Sequence, residues 1–65
     1  MEVLHRNPQA AEVRLTRGEL AIINNALNEI CNGLPLEDVE FQTRIGFSRE
    51  VARQVLGKVA KALKA

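Results

Sequence analysis

Catalysis and metal binding need nucleophiles, general bases or ligands at workable spacings, and this 65-residue chain offers few of them. His5 is the only histidine and Cys31 the only cysteine, so no set of imidazoles and thiolates can gather around zinc. His5 also lacks an orienting carboxylate and lies in an N-terminal arm, which suits an incidental histidine better than a general base. Glu37, Asp38 and Glu40 cluster, but without the alternating oxygen ligands and central glycine of a calcium loop. There is no glycine-rich phosphate loop. Tryptophan and tyrosine are absent and the two phenylalanines read as core, so no aromatic platform for single-stranded nucleic acid is present. The residue inventory predicts a protein that is not an enzyme and that takes no cofactor and no metal.

Two other residue sets suit recognition of a macromolecule. Asn24, Asn28 and Asn32 recur every four residues beside an apolar stripe, with Asn25 one step further round. Asparagine is a poor helix former, and a merely solvated face would more naturally carry Glu and Lys. The strip is therefore either a partner-binding surface or a set of bonds to the following chain. In the second case Asn24 and Asn28 would bond the Gly33 to Glu40 connection, and Asn32 would cap the helix end. The other set is a helix-turn-helix pattern between Asp38 and Val55, in which Phe41, Ile45, Phe47, Ala52 and Val55 stand where the two helices would pack. Arg49, Arg53 and Gln54 would then read bases, and Lys58 and Lys61 would contact phosphates. Against this, Gln42 stands where tight helix crossing calls for a small residue, and the lysines come late in the second helix. An ordinary helical corner with a solvated basic face explains the same residues.

The elements that must position these sets are well marked. Thr16-Arg17-Gly18-Glu19 is a capping box, and Leu20, Ile23, Leu27, Ile30 and Cys31 follow at helical spacing, widened by Ile22 and Ala26. The pattern predicts a helix over 17–31, stopped by a left-handed residue at Asn32-Gly33. Leu34-Pro35-Leu36 cannot continue it. Asp38 as N-cap predicts a short helix over 38–45 ending at Gly46, although Val39 and Phe41 also suit an extended segment. Ser48 caps a last helix over 49–64, with Glu50 in its first turn and Lys58, Lys61 and Lys64 towards its end. Its apolar half, from Val51 to Leu63, is wide enough to need more than one neighbour. Residues 1–15 form an arm whose Val13 and Leu15 alternate with Glu12 and Arg14 at a strand's period, predicting a short strand at 11–15. Two short strands are unstable by themselves, so the arm is expected to be loosely ordered or paired across a dimer.

Leu15-Thr16, Glu19-Leu20, Ile23-Asn24-Asn25-Ala26-Leu27-Asn28-Glu29 and Cys31-Asn32-Gly33, followed by Phe41, Thr43-Arg44, Gly46 and Ser48-Arg49-Glu50, resemble a group of short, uncharacterised bacterial proteins. The likeness has the asparagine-rich core as its specific part. It implies a bacterial origin and a compact helical fold, and it carries over no catalytic residue.

The predicted architecture is therefore mainly α: an N-terminal arm over 1–15 with a possible strand, and a three-helix domain over 16–65. A core this small rarely supplies more than about 3–5 kcal/mol, and neither a disulfide nor a metal is available to reinforce it. The apolar faces exceed what one short connecting helix can cover, which predicts a homodimer. A lone cysteine suits the reducing cytoplasm, and no apolar run is long enough to span a bilayer. Residues 1–6 do not read as a signal peptide, and Met1 reads as the native start. Residues 1–37 carry a net charge of −2 and residues 38–65 one of +3, which permits a nucleic-acid partner without demanding one. A protein-binding or self-associating module comes first among the expected functions, a helix-turn-helix DNA binder second and a small enzyme a distant third.

Overall fold

The computed structural model describes residues 1–65 and shows a mainly α chain with a short antiparallel sheet at its N-terminus. The elements are β1 (Glu2–Arg6), β2 (Ala11–Arg14), α1 (Arg17–Asn28), a π-helical turn (Glu29–Gly33), α2 (Asp38–Ile45) and α3 (Arg49–Lys64).

The arm is neither loose nor dependent on a second molecule for its first pairing. β1 and β2 pair with each other, with Glu2 opposite Arg14, Val3 opposite Val13, His5 opposite Glu12 and Arg6 opposite Ala11; a bulge at Leu4 takes up the extra residue. The turn explains why the hairpin closes. Asn7 Oδ1 accepts from the backbone N–H of Gln9 and of Ala10, both at 2.9 Å, and the Asn7 N–H donates to the Ala10 carbonyl at 2.9 Å. That local asparagine turn, with Pro8 inside it, folds the chain back without a glycine. Every residue from Met1 to Arg14 remains exposed.

α1 begins where the capping box places it, with the Thr16 hydroxyl accepting from the Glu19 N–H at 3.1 Å and Glu19 Oε1 accepting from the Thr16 N–H at 2.9 Å. Its far end differs from the predicted α-helix over 17–31. Regular geometry stops at Asn28, the chain widens into the π turn, and the Leu34 N–H bonds the Glu29 carbonyl at 3.0 Å. Gly33 is not left-handed; the only positive φ in the chain is at Gly46, 89°. An i to i+5 bond at Leu34 takes up a free carbonyl, so the helix end needs no left-handed residue.

α2 and α3 have the predicted bounds, with one difference at a cap. Asp38 is the first helical residue of α2, Glu37 takes the N-cap position, and no side chain caps that end. Ser48 caps α3, its hydroxyl accepting from the Val51 N–H at 3.3 Å. α3 runs against α1 along most of its length, so the start of α1 lies by the end of α3: Arg17 Nη1 donates to the Leu63 carbonyl at 2.7 Å and its Nη2 to the Ala65 carbonyl. A guanidinium there satisfies carbonyls that the helix end leaves free.

Only three residues are buried: Cys31, Phe41 and Ala52, with Ile30, Leu36 and Leu56 packed around them. The lone cysteine serves as a small hydrophobe in this cluster. The molecule measures 36 × 28 × 15 Å. Its thin dimension is close to the width of one helix with its side chains, about 10–12 Å, so most side chains cannot escape solvent.

Candidate functional site

α2, the left-handed Gly46 and α3 form the helical corner that the sequence marks as a possible helix-turn-helix. Gly46 turns the chain out of α2, its N–H bonding the Gln42 carbonyl at 2.8 Å. Phe41 and Ala52 meet at the buried crossing as the pattern requires. The rest of the expected packing set does not follow them inside. Ile45 is 40% exposed, Val55 45% and Phe47 64%. The sequence pattern places Phe47 in the core. It lies instead in the exposed turn, where the short α2 leaves no third surface to cover it.

Arg49 is occupied inside the corner. Its guanidinium lies 5.0 Å from the centre of the Phe41 ring, Nη2 donates to the Leu36 carbonyl, and Nη1 is 3.5 Å from Asp38 Oδ1. Only 20% of the side chain is exposed, and its buried Nε has no partner. The residue set out to read bases at the start of α3 thus ties the 36–38 connection to both helices. Arg53, Gln54, Lys58 and Lys61 are exposed along α3 and face no acidic partner.

Two sets that the sequence keeps separate meet at one point. Arg53 Nη2 approaches Asn32 Oδ1 at 3.4 Å and the Cys31 carbonyl at 3.5 Å, and Asn32 Nδ2 donates to Asn28 Oδ1 at 3.0 Å. Asn28, Asn32 and Arg53 therefore form a polar line from the end of α1 to the start of α3. Asn24 bonds Asn25 at 3.3 Å. The expected bonds from Asn24 and Asn28 to the 33–40 connection are not made. The connection closes on itself and on Arg49, through the Leu36 N–H to the Leu34 carbonyl at 2.9 Å and the Arg49 bond to the Leu36 carbonyl. The asparagines bond one another at the surface, and Asn25, Asn28 and Asn32 are all exposed.

At the joint between sheet and helices, the Met1 ammonium donates to Glu19 Oε2. That bond, followed by the Thr16 N–H, holds the Glu19 carboxyl below its ordinary value. The sequence reading missed this contact and the Arg17 cap, because both join residues far apart in the chain. The charged and apolar alternation Glu12-Val13-Arg14 was visible, but the meaning of its free edge was not. No helix is long and apolar enough to cross a membrane. No group of three or more His, Cys, Asp or Glu side chains gathers where a metal ion could be held, and no pocket opens on the surface. No protein-family model, curated protein or solved structure matches the chain.

Proposed function

We propose that this chain is a non-enzymatic, self-associating module that works as a homodimer. The observation that carries this reading is the surface left uncovered. The chain exposes 5229 Å², whereas a compact monomer of 7.2 kDa is expected to expose about 4,100 Å². The excess of roughly 1,100 Å² is comparable to the roughly 800 Å² that each partner contributes to a stable interface of ordinary size. Apolar side chains form much of that surface: Ile22 is 70% exposed, Val39 79% and Phe47 64%, with Val3, Leu4 and Val13 adding to them from the sheet. Light scattering tests the proposal at micromolar concentration: twice the 7.2 kDa chain mass is expected, and the single-chain mass would overturn it.

DNA binding through the α2–α3 corner is the second reading, favoured by the Gly46 turn, the Phe41 and Ala52 crossing and the exposed basic face of Arg53, Gln54, Lys58 and Lys61. With Arg49 engaged, that face retains few side chains for base edges, so any affinity would come from phosphate contacts and fall steeply with salt. Gel shifts at two salt concentrations separate the readings. Nanomolar, sequence-dependent binding in physiological salt that Arg53→Ala relaxes would put DNA recognition first.

A further inference from the structure

The hairpin is the part of the surface with the most definite complementarity. A ribbon two strands wide is marginal alone in water, and no helix packs on either face of this one. Its two outer edges are not equivalent. The edge of β1 is kinked by the bulge at Leu4, a device that discourages further pairing. The β2 edge runs unbulged from Ala11 to Arg14 and contains neither proline nor lysine, so it lacks those protections. The pairing fixes which residues share a face. Val13 lies with Val3 on one side, while Arg14 with Glu2 and Glu12 with His5 lie on the other.

We infer that the β2 edge is where two copies of the chain meet, β2 pairing antiparallel with β2 of a second copy about a two-fold axis at Val13 to make a four-stranded sheet. This inference rests on the self-association proposed above. Charge selects the register. A two-fold antiparallel pairing that keeps the valine faces together can be centred on any residue of β2, because a one-residue slip would set valine against charge; centring on Ala11 sets β2 against Gln9 and Ala10 of the turn, which leaves Glu12, Val13 and Arg14. Centring on Glu12 sets that carboxylate against its own copy, and centring on Arg14 does the same to two guanidinium groups, both unfavourable directly across strands. Centring on Val13 places Val13 against Val13 and, twice over, Glu12 against Arg14 of the second copy. One face then carries Val3 and Val13 of both copies in a single row. On the other, Glu2 and Arg14 continue into Glu12 and His5 of the second copy, so acidic and basic groups alternate across the first three strands. This self-complementarity commits the edge to a second copy rather than to an unrelated strand.

Charge exchange tests the register. Glu12→Arg and Arg14→Glu, each alone, place like charges opposite at both symmetry-related positions and are expected to raise the dimer dissociation constant about ten- to thirtyfold. Mixed in equal amounts, the two variants regain both complementary pairs across the axis, so the dimer is expected to return, short of wild-type affinity only by the Glu2–Arg14 pair that Arg14→Glu loses within its own hairpin. A mixture that stays monomeric, while each variant keeps the wild-type circular dichroism, would overturn the inference. Variants that dimerise as the wild type does would overturn it as well and leave self-association through another face. A monomeric wild type would overturn both. Val13→Cys supplies a second measurement: across the axis the introduced thiols lie within about 4.5–5.5 Å at Cβ, so mild oxidation is expected to cross-link this variant and not the wild type, whose Cys31 is buried. Failure of a dimeric Val13→Cys variant to cross-link would exclude the Val13-centred register.

Discussion

The hairpin and the α2–α3 corner are each two elements joined by a short turn, yet they end in opposite states. At the corner, Phe41 is fully buried and Arg49 lies across its ring while bonding the Leu36 carbonyl, so one aromatic and one guanidinium hold three segments together. In the hairpin, backbone pairing and the Asn7 turn are complete, but every residue stays exposed. Backbone pairing and burial are thus separate achievements. Two strands make their shared ladder within one chain and leave their outer edges free, whereas burial needs another layer. The corner thus contributes to the buried cluster, and the hairpin contributes nothing to it.

The strongest way to break that contrast is to empty the corner. Phe41→Ala is expected to cost about 3–5 kcal/mol, a large share of the roughly 3–10 kcal/mol that a domain of this size has in total. Urea denaturation should show a much lower midpoint, with a chain at the low end of that range unfolded before denaturant is added. A cost below 1 kcal/mol would mean that the stability lies elsewhere.

Arg49→Ala comes next. Loss of a part-buried, charge-assisted bond together with the contact to the Phe41 ring should cost about 1.5–3 kcal/mol. Arg53→Ala, whose bonds are 3.4–3.5 Å long and mostly exposed, should cost less than about 1 kcal/mol. Equal effects in thermal melts would count against a structural role specific to Arg49.

Asn28→Ala sharpens the account of the polar strip. Its amide bonds only Asn32, at the surface, so stability should change by no more than about 0.5 kcal/mol, and the better helix propensity of alanine can raise the melting temperature. A loss beyond 1 kcal/mol would show that the amide bonds something more.

The smallest effect belongs to the joint between the two regions. The Glu19 carboxyl titrates below its ordinary value of 4.5 because it accepts from the Met1 ammonium and from the Thr16 N–H. A carboxyl lowered in the folded state adds stability that is fully present above the unfolded value. That stability is lost as the pH falls through the lowered native value. Acid titration should therefore loosen the contact between the start of β1 and α1 below about pH 4.5, and Glu19→Gln should remove that dependence. Chemical shifts of the Met1 and Thr16 neighbourhood, followed from pH 6 to pH 2, report it directly, and identical profiles for both proteins would count against the contact.

Local chemistry fixed the helices. The capping box at Thr16, the Ser48 cap and the glycine at 46 act within a few residues, so the starts of α1 and α3 and the end of α2 follow from neighbours in the chain. The strand period at Glu12-Val13-Arg14 was equally legible. The π turn at Glu29–Gly33 was not, because the residues that spell it also suit an ordinary helix end, and the choice between them falls to the buried position of Cys31 and the path to Leu34.

Tertiary structure alone decided what the candidate site residues are free to do. Arg49 and Arg53 look alike in the sequence, four residues apart on one helix. The fold places Arg49 over Phe41, while Arg53 reaches the surface line of Asn28 and Asn32. Sequence spacing sets the direction in which each side chain leaves its own helix, but its partners come from segments up to 22 residues away. Which carbonyl, ring or carboxylate lies within reach depends on how those segments pack, and that packing is set by the small cluster of Cys31, Phe41 and Ala52.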